Sequence, residues 1–127
     1  MKHVPSIPGL AKPPSPFSHV VEANGFLFLS SQLSVDLHTH TLFPGSMAEQ
    51  TKQSLENIKF LLESCGSSME AIVDVAIYMR DVSQFDEMNA VYREYFKEGQ
   101  EPARVTVQSP SPLPGIDIEI KVVAIAT

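Results

Sequence analysis

Residues 101–108 read EPARVTVQ. After the opening acid and proline, this is a short strand. Strand side chains alternate with period two, so Val105 and Val107 share one face and Arg104, Thr106 and Gln108 the other. The chain has three arginines, Arg80, Arg93 and Arg104. One of them therefore opens a valine-rich strand, where charge is depleted.

Working outward, the next segment SPSPLPG (109–115) is a rigid loop that no helix crosses. IDIEIKVVAIAT (116–127) then closes the chain as a long strand. Ile116, Ile118, Ile120, Val122 and Ala124 lie on one face. Asp117, Glu119 and Lys121 begin the other, which turns apolar at Val123 and Ile125. Before EPARVTVQ, a second helix is expected from Ser83, with Phe85, Met88, Tyr92 and Tyr95 on its apolar face, Phe96 alongside, and Gly99 ending it. AIVDVAIYMR (71–80) is β-branched and largely apolar, a well-buried strand.

Further back, Ser46-Met47-Ala48-Glu49 has the form of a capping box. Ala48, Thr51, Leu55, Ile58, Leu62 and Cys65 follow at helical spacing, and Gly66 stops the helix. HVVEANGFLFLSSQLS (19–34) holds two apolar runs around Asn24-Gly25, the strongest short hairpin signal, because both residues tolerate positive φ. VDLHTHTLFPG (35–45) is a loop, and the proline-rich residues 1–16 form an extended arm. The order is β-β-α-β-α-β-β. It predicts an α+β fold with one sheet and two helices on one face. The other face would expose Val123, Ile125 and Phe26 or Leu27, and an exposed apolar sheet face calls for a partner. A homo-oligomer is expected.

Composition narrows the function. At 127 residues one domain is expected, running 1–127, with enough chain to bury a core. The net charge of −6 argues against a general nucleic-acid binder, which needs clustered Lys and Arg. No apolar stretch approaches the ~20 residues of a membrane span, and prolines interrupt the N-terminus where a signal peptide would need an apolar run. With Cys65 the single cysteine, no intramolecular disulfide forms, and a reducing cytosol is the simplest compartment. On its apolar helix face Cys65 reads as a small hydrophobe. His38 and His40 alternate as zinc ligands on a strand can, but no third ligand stands at a recognisable interval. No nucleophile elbow and no glycine-rich phosphate loop occurs.

Arg104 and Glu119 remain the oddly placed charges. If the last two strands pair as a wide hairpin across residues 109–115, they approach one another. The alternative is two solvated residues, one near a strand end and one on a wet edge.

Three segments, PSPFSHVVEANGFLFLSSQLSVD, QTKQSLENIKFLLESCGSSMEAIVDVAIYMRDVSQFDEMNAVYREYF and PARVTVQ…IEIKVVAIA, resemble the RidA family, also called YjgF or, in an older label, L-PSP endoribonuclease. The resemblance runs from about residue 14 to the end. Its most specific part is Pro-Ala-Arg followed fifteen residues later by the Glu of IEI. It implies chorismate-mutase-like subunits whose sheets pack into a trimeric barrel, with a cleft between each pair of neighbours. It implies hydrolysis of enamines and imines, such as those released by pyridoxal-phosphate enzymes, to 2-keto acids and ammonia, with no cofactor and no metal. Carried over, Arg104 grips the substrate carboxylate and Glu119 positions or deprotonates the attacking water. The Thr106 backbone, Ser30 and Ser31 contact substrate, and Asn89 matches a recurrent helix asparagine. Two departures stand out. Phe17 replaces the usual tyrosine, and Ser30-Ser31-Gln32 replaces Ser-Gly-Gln. A carboxylate-binding or protein-binding trimer without catalysis is the alternative, and a ribonuclease the third reading; against that last stand the acidic charge and the want of a histidine near the Arg–Glu pair.

Overall fold

The computed structural model describes residues 1–111 and 113–127; Pro112, within the rigid loop expected at 109–115, lies outside the described residues. The chain runs β1 (Val20–Ala23), β2 (Phe26–Leu29), α1 (Met47–Ser64), β3 (Ile72–Met79), α2 (Phe85–Tyr92), β4 (Ala103–Gln108) and β5 (Ile118–Ile125). This is the expected β-β-α-β-α-β-β order. Among the described residues no helix is long and apolar enough to cross a membrane.

Local chemistry explains the ends of these elements. Asn24 (φ 51°) and Gly25 (φ 81°) both take the left-handed turn that joins β1 to β2 antiparallel. The capping box forms in full: Ser46 Oγ accepts from the Glu49 N–H at 3.1 Å, and the Glu49 carboxylate accepts from the Ser46 N–H at 2.9 Å. Those bonds also hold the Glu49 carboxyl below its usual pKa. The second helical segment starts differently from expectation. A 3₁₀ turn, Val82–Gln84, leads into α2, and its cap is the Asp81 carboxylate, which accepts from the Ser83 N–H at 2.9 Å. Ser83 supplies only the donor. α2 ends at Tyr92 and tightens into a second 3₁₀ turn, Arg93–Tyr95, well before Gly99.

The sheet order is β1-β2-β5-β3-β4, antiparallel throughout except for β3 and β4, which run parallel. The wide hairpin between the last two strands does not form. β5 inserts between β2 and β3, while α2 carries the chain over to lay β4 along the far side of β3. A parallel neighbour needs such a crossover, and β3-α2-β4 is one.

Both helices cover one face. Ile118, Ile120, Val122 and Ala124 of β5 point into it with Val75, Ile77 and Met79 of β3 and Leu27 and Leu29 of β2, all at most 1% exposed. On the other face Phe26, Phe28, Ile125, Val105 and Val107 stand 39–54% exposed. Phe26, not Leu27, is therefore the outward residue of the hairpin.

Polar groups inside α1 tie the loops to this core. Gln50 is fully buried. Its amide nitrogen donates to the carbonyls of Gly45 and Gly115, both at 3.0 Å, and its oxygen accepts from the Asp117 N–H at 2.8 Å. Asn57 donates to Leu33 O (3.0 Å) and Val35 O (2.9 Å), anchoring the segment after β2. The N-terminal arm is docked rather than frayed. His3 bridges Glu22 through paired backbone bonds of 2.8 Å, and Ala11 N–H donates to Leu37 O at 3.0 Å.

Gln50→Ala strips partners from three backbone groups and leaves a cavity. It should cost about 2–4 kcal/mol, against about 1 kcal/mol for Ser46→Ala at the exposed cap. Urea midpoints at fixed chain concentration check the order, and equal losses would remove Gln50 from that role.

Candidate functional site

Register decides where the two conspicuous charges go. Arg104 pairs with Val75, and Glu119 with Tyr78. Residues directly opposite on paired strands share a face. Val75 and Tyr78 are an odd number apart on β3, so they point to opposite faces. Arg104 lies on the helix side of the edge strand β4. Glu119 lies on the uncovered side of β5, two strands away, or roughly 9–10 Å at the usual strand spacing. Within one chain they do not meet. Each opens its own cleft.

The first cleft, about 740 Å³, is bordered by α2, the turn after it and the start of β4. Arg104 is fixed there from two directions. Its Nη1 donates to Asn89 Oδ1 at 2.7 Å. Its guanidinium carbon lies 4.7 Å from the Tyr92 ring centre and 5.5 Å from that of Phe85. Cation–π contacts of this kind contribute ~0.5–1 kcal/mol when exposed and more when dry. The side chain is thus preset, with most of its five donors uncommitted. Around it, the hydroxyls of Tyr92 and Thr106 are buried without a partner among the described residues. Burial pushes the Tyr92 phenol up to about 12, although the Arg104 charge opposes that shift. Thr106, paired with Ile77, faces the same side as Arg104.

The second cleft, also about 740 Å³, lies on the other side, between the segment around Phe17, the stretch 30–42 and β5. Ser31 Oγ donates to Glu119 Oε1 at 2.8 Å, bringing two expected site residues together. Ser30 lines the same cleft, but its hydroxyl is spent on Ser18 O at 2.7 Å. Lys121 enters as well, with its ammonium drawn onto Leu29 O at 2.8 Å. Phe17 stands at the rim, 44% exposed.

Sequence reasoning assigned His19 no role and weighed His40 only as a zinc ligand, and the fold brings both here. His19 and His40 both line the Glu119 cleft. Their rings stack with centres 6.4 Å apart, and Phe17 packs edge-on to His19 at 5.8 Å. His19 and His40 thus share a cleft with Glu119, while among the described residues no histidine lines the Arg104 cleft. Both ring nitrogens of His19 are buried without a partner among the described residues. Burial, then the neighbouring His40, lowers the His19 pKa below its usual value. The one available signal was that His19 sits two residues from Phe17, on the same side of an extended segment. His38 and His40 hold the arm instead of facing a shared ion: His38 Nδ1 contacts Gly9 O at 2.6 Å and His40 Nε2 contacts Lys12 O at 2.8 Å. Among the described residues, no group of three or more His, Cys, Asp and Glu side chains gathers closely enough to hold a metal. Cys65 caps α1 half-buried beside the core, and burial raises its thiol pKa, the opposite of an activated nucleophile.

A profile of the family described as endoribonuclease L-PSP matches residues 10–126. The chain belongs to this family. Its L-PSP relatives include a RutC family protein of Pyrococcus horikoshii, 41% identical over 126 residues, 99% of this chain and 98% of the relative. A solved structure of a conserved Rid family protein from Yersinia pestis is 30% identical with a TM-score of 0.90, covering 98% of this chain and 99% of that one. RidA from an Antarctic Psychrobacter is 27% identical with a TM-score of 0.86, over 97% and 98%. The L-PSP fold thus accounts for the whole sheet and both helices.

The lowered His19 pKa has a consequence for stability. The unfolded chain binds a proton on this imidazole at higher pH than the folded chain does. The contribution of neutral His19 is present above the ordinary histidine pKa of ~6.5 and is lost as pH falls through the lower folded value. Between pH 7.5 and 5 the wild-type urea midpoint should fall more steeply than that of His19→Phe. Parallel pH profiles for the two proteins would show that His19 does not titrate this way.

Proposed function

We propose that this protein hydrolyses reactive 2-imino acids to 2-keto acids and ammonia, in clefts completed by a neighbouring copy. The observation that carries the reading is the separation of the two half-sites. A preset arginine with free donors occupies one face, and a serine-held glutamate in an open cleft occupies the other. Neither half can both grip a carboxylate and activate water. Joined across copies they can do both. The exposed apolar residues of the uncovered sheet face, continuous with the Glu119 side, support an assembly that buries them. The RidA resemblance implies that this assembly is a homotrimer.

In this reading Arg104 takes the substrate carboxylate in a two-pronged grip, for which a planar guanidinium is suited and an ammonium is not. Glu119 accepts a proton from water as the water oxygen bonds to C2 and the C=N electron pair moves to nitrogen. The resulting carbinolamine nitrogen gains a proton, the C–N bond breaks, and ammonia leaves. Loss of the hydroxyl proton yields the 2-keto acid. An iminium carbon is electrophilic enough that orientation and general acid–base help, typically ~10²–10⁴-fold, carry the reaction without a cofactor. A ribonuclease reading is less well supported. The chain carries 15 Asp and Glu against 9 Lys and Arg, and among the described residues Lys121 is the one Lys or Arg that lines the Glu119 cleft.

Arg104→Ala should cut imine hydrolysis more than tenfold with the fold intact, since a charged hydrogen bond contributes roughly 1.5–3 kcal/mol; Arg104→Lys should rescue little. Glu119→Gln should keep 2-keto acid binding while turnover drops about 10²-fold or more. Ammonia release and calorimetric binding measure the two. Wild-type turnover in either Arg104→Ala or Glu119→Gln would withdraw the role given to that residue. Light scattering at micromolar concentration should give three times the 14.0 kDa chain. A stable, active monomer would contradict the shared cleft.

A further inference from the structure

We infer that the substrate of this site is a 2-imino acid with a bulky apolar side chain rather than the three-carbon imine, an inference that rests on the hydrolysis reading above. In the Glu119 cleft Ser31 holds the Glu119 carboxylate at 2.8 Å and Lys121 is drawn back onto Leu29 O, while His19 and His40 also line it. Most of the remaining wall is apolar: Phe17, Leu33, Leu42 and Leu113 with Pro14. Phe17 and Leu42 stand 44% and 37% exposed in the single chain.

Geometry sets the direction of that ligand. C2 of an imino acid carries the nitrogen, a carboxylate and a side chain. With the carboxylate turned to a neighbour's Arg104 and C2 beside Glu119, the third substituent runs along the apolar wall. Phe17 sharpens the point, because a phenyl ring offers dispersion and burial but no hydrogen bond to a small polar ligand. A cleft of about 740 Å³ is of the size that encloses a larger molecule, and a methyl side chain would leave most of this wall wet.

The test is a series of imines generated in place from alanine, 2-aminobutyrate, norvaline, leucine and phenylalanine by an amino-acid oxidase with catalase. Enzyme-accelerated imine loss is followed against a semicarbazide trap. Each added buried carbon is worth about fourfold in kcat/KM, so the leucine-derived imine should exceed the alanine-derived one by roughly 30–100-fold. Leu42→Asn, at an exposed position, should lower that ratio by about tenfold. A flat ranking, or one falling with size, overturns this inference while hydrolysis of the imines leaves the proposed function standing. If no imine is accelerated, binding of the matching 2-keto acids separates the two ideas. Affinity rising from pyruvate to 4-methyl-2-oxopentanoate supports the apolar cleft and removes the hydrolysis reading. Absence of binding across the series overturns both.

Discussion

The parallel pairing of β4 with β3 is the constraint from which the rest of the arrangement follows. It requires α2 as a crossover, and it leaves β4 as an edge strand with α2 above its inner face. That position puts Arg104 beneath the side chains of Asn89, Tyr92 and Phe85. The same pairing leaves the other side of β3 to β5, whose register turns Glu119 to the opposite face. With β4 next to β5 as a hairpin, the two charges would instead lie on neighbouring strands.

Charge management in the two halves differs in kind. Around Arg104 the protein uses aromatic faces and a neutral amide, so the cation is oriented without being neutralised. Around Glu119 it uses one hydroxyl and keeps the nearby ammonium occupied with a backbone carbonyl. Among the described residues neither charge is paired with an opposite one.

Much of this architecture was legible in the residues. The hairpin at Asn24-Gly25, the capping box at Ser46 and the alternation of β5 each depend on neighbours in sequence, and each formed as expected. Strand order did not follow from them, because period-two alternation tells which residues share a face and says nothing of which strand lies alongside. The face of β4 shows the limit. Val105 and Val107 would ordinarily be assigned to a core, yet they point outward while Arg104 and Thr106 lie beneath α2. The polar anchors Gln50 and Asn57 were hidden for a related reason. On a helix they look like solvated positions until loops arrive with carbonyls to satisfy them. How the candidate residues divide was not legible, since Phe17, Ser31 and Glu119 converge from distant segments while Asn89 and Arg104 meet in another cleft.

The N-terminal arm is held largely through its main chain, with Ile7 and Leu10 packed against the core. His3 exchanges backbone bonds with Glu22, and the rings of His38 and His40 take the carbonyls of Gly9 and Lys12. Bonds of this sort read the path of the backbone and ignore most side chains along it. Prolines suit such a tether, because they lower the entropy lost on docking and every proline still offers a carbonyl. The arm can therefore diverge among related chains, residue by residue, while its track over the molecule is kept. Selection would act on the clasping histidines rather than on the strap they hold.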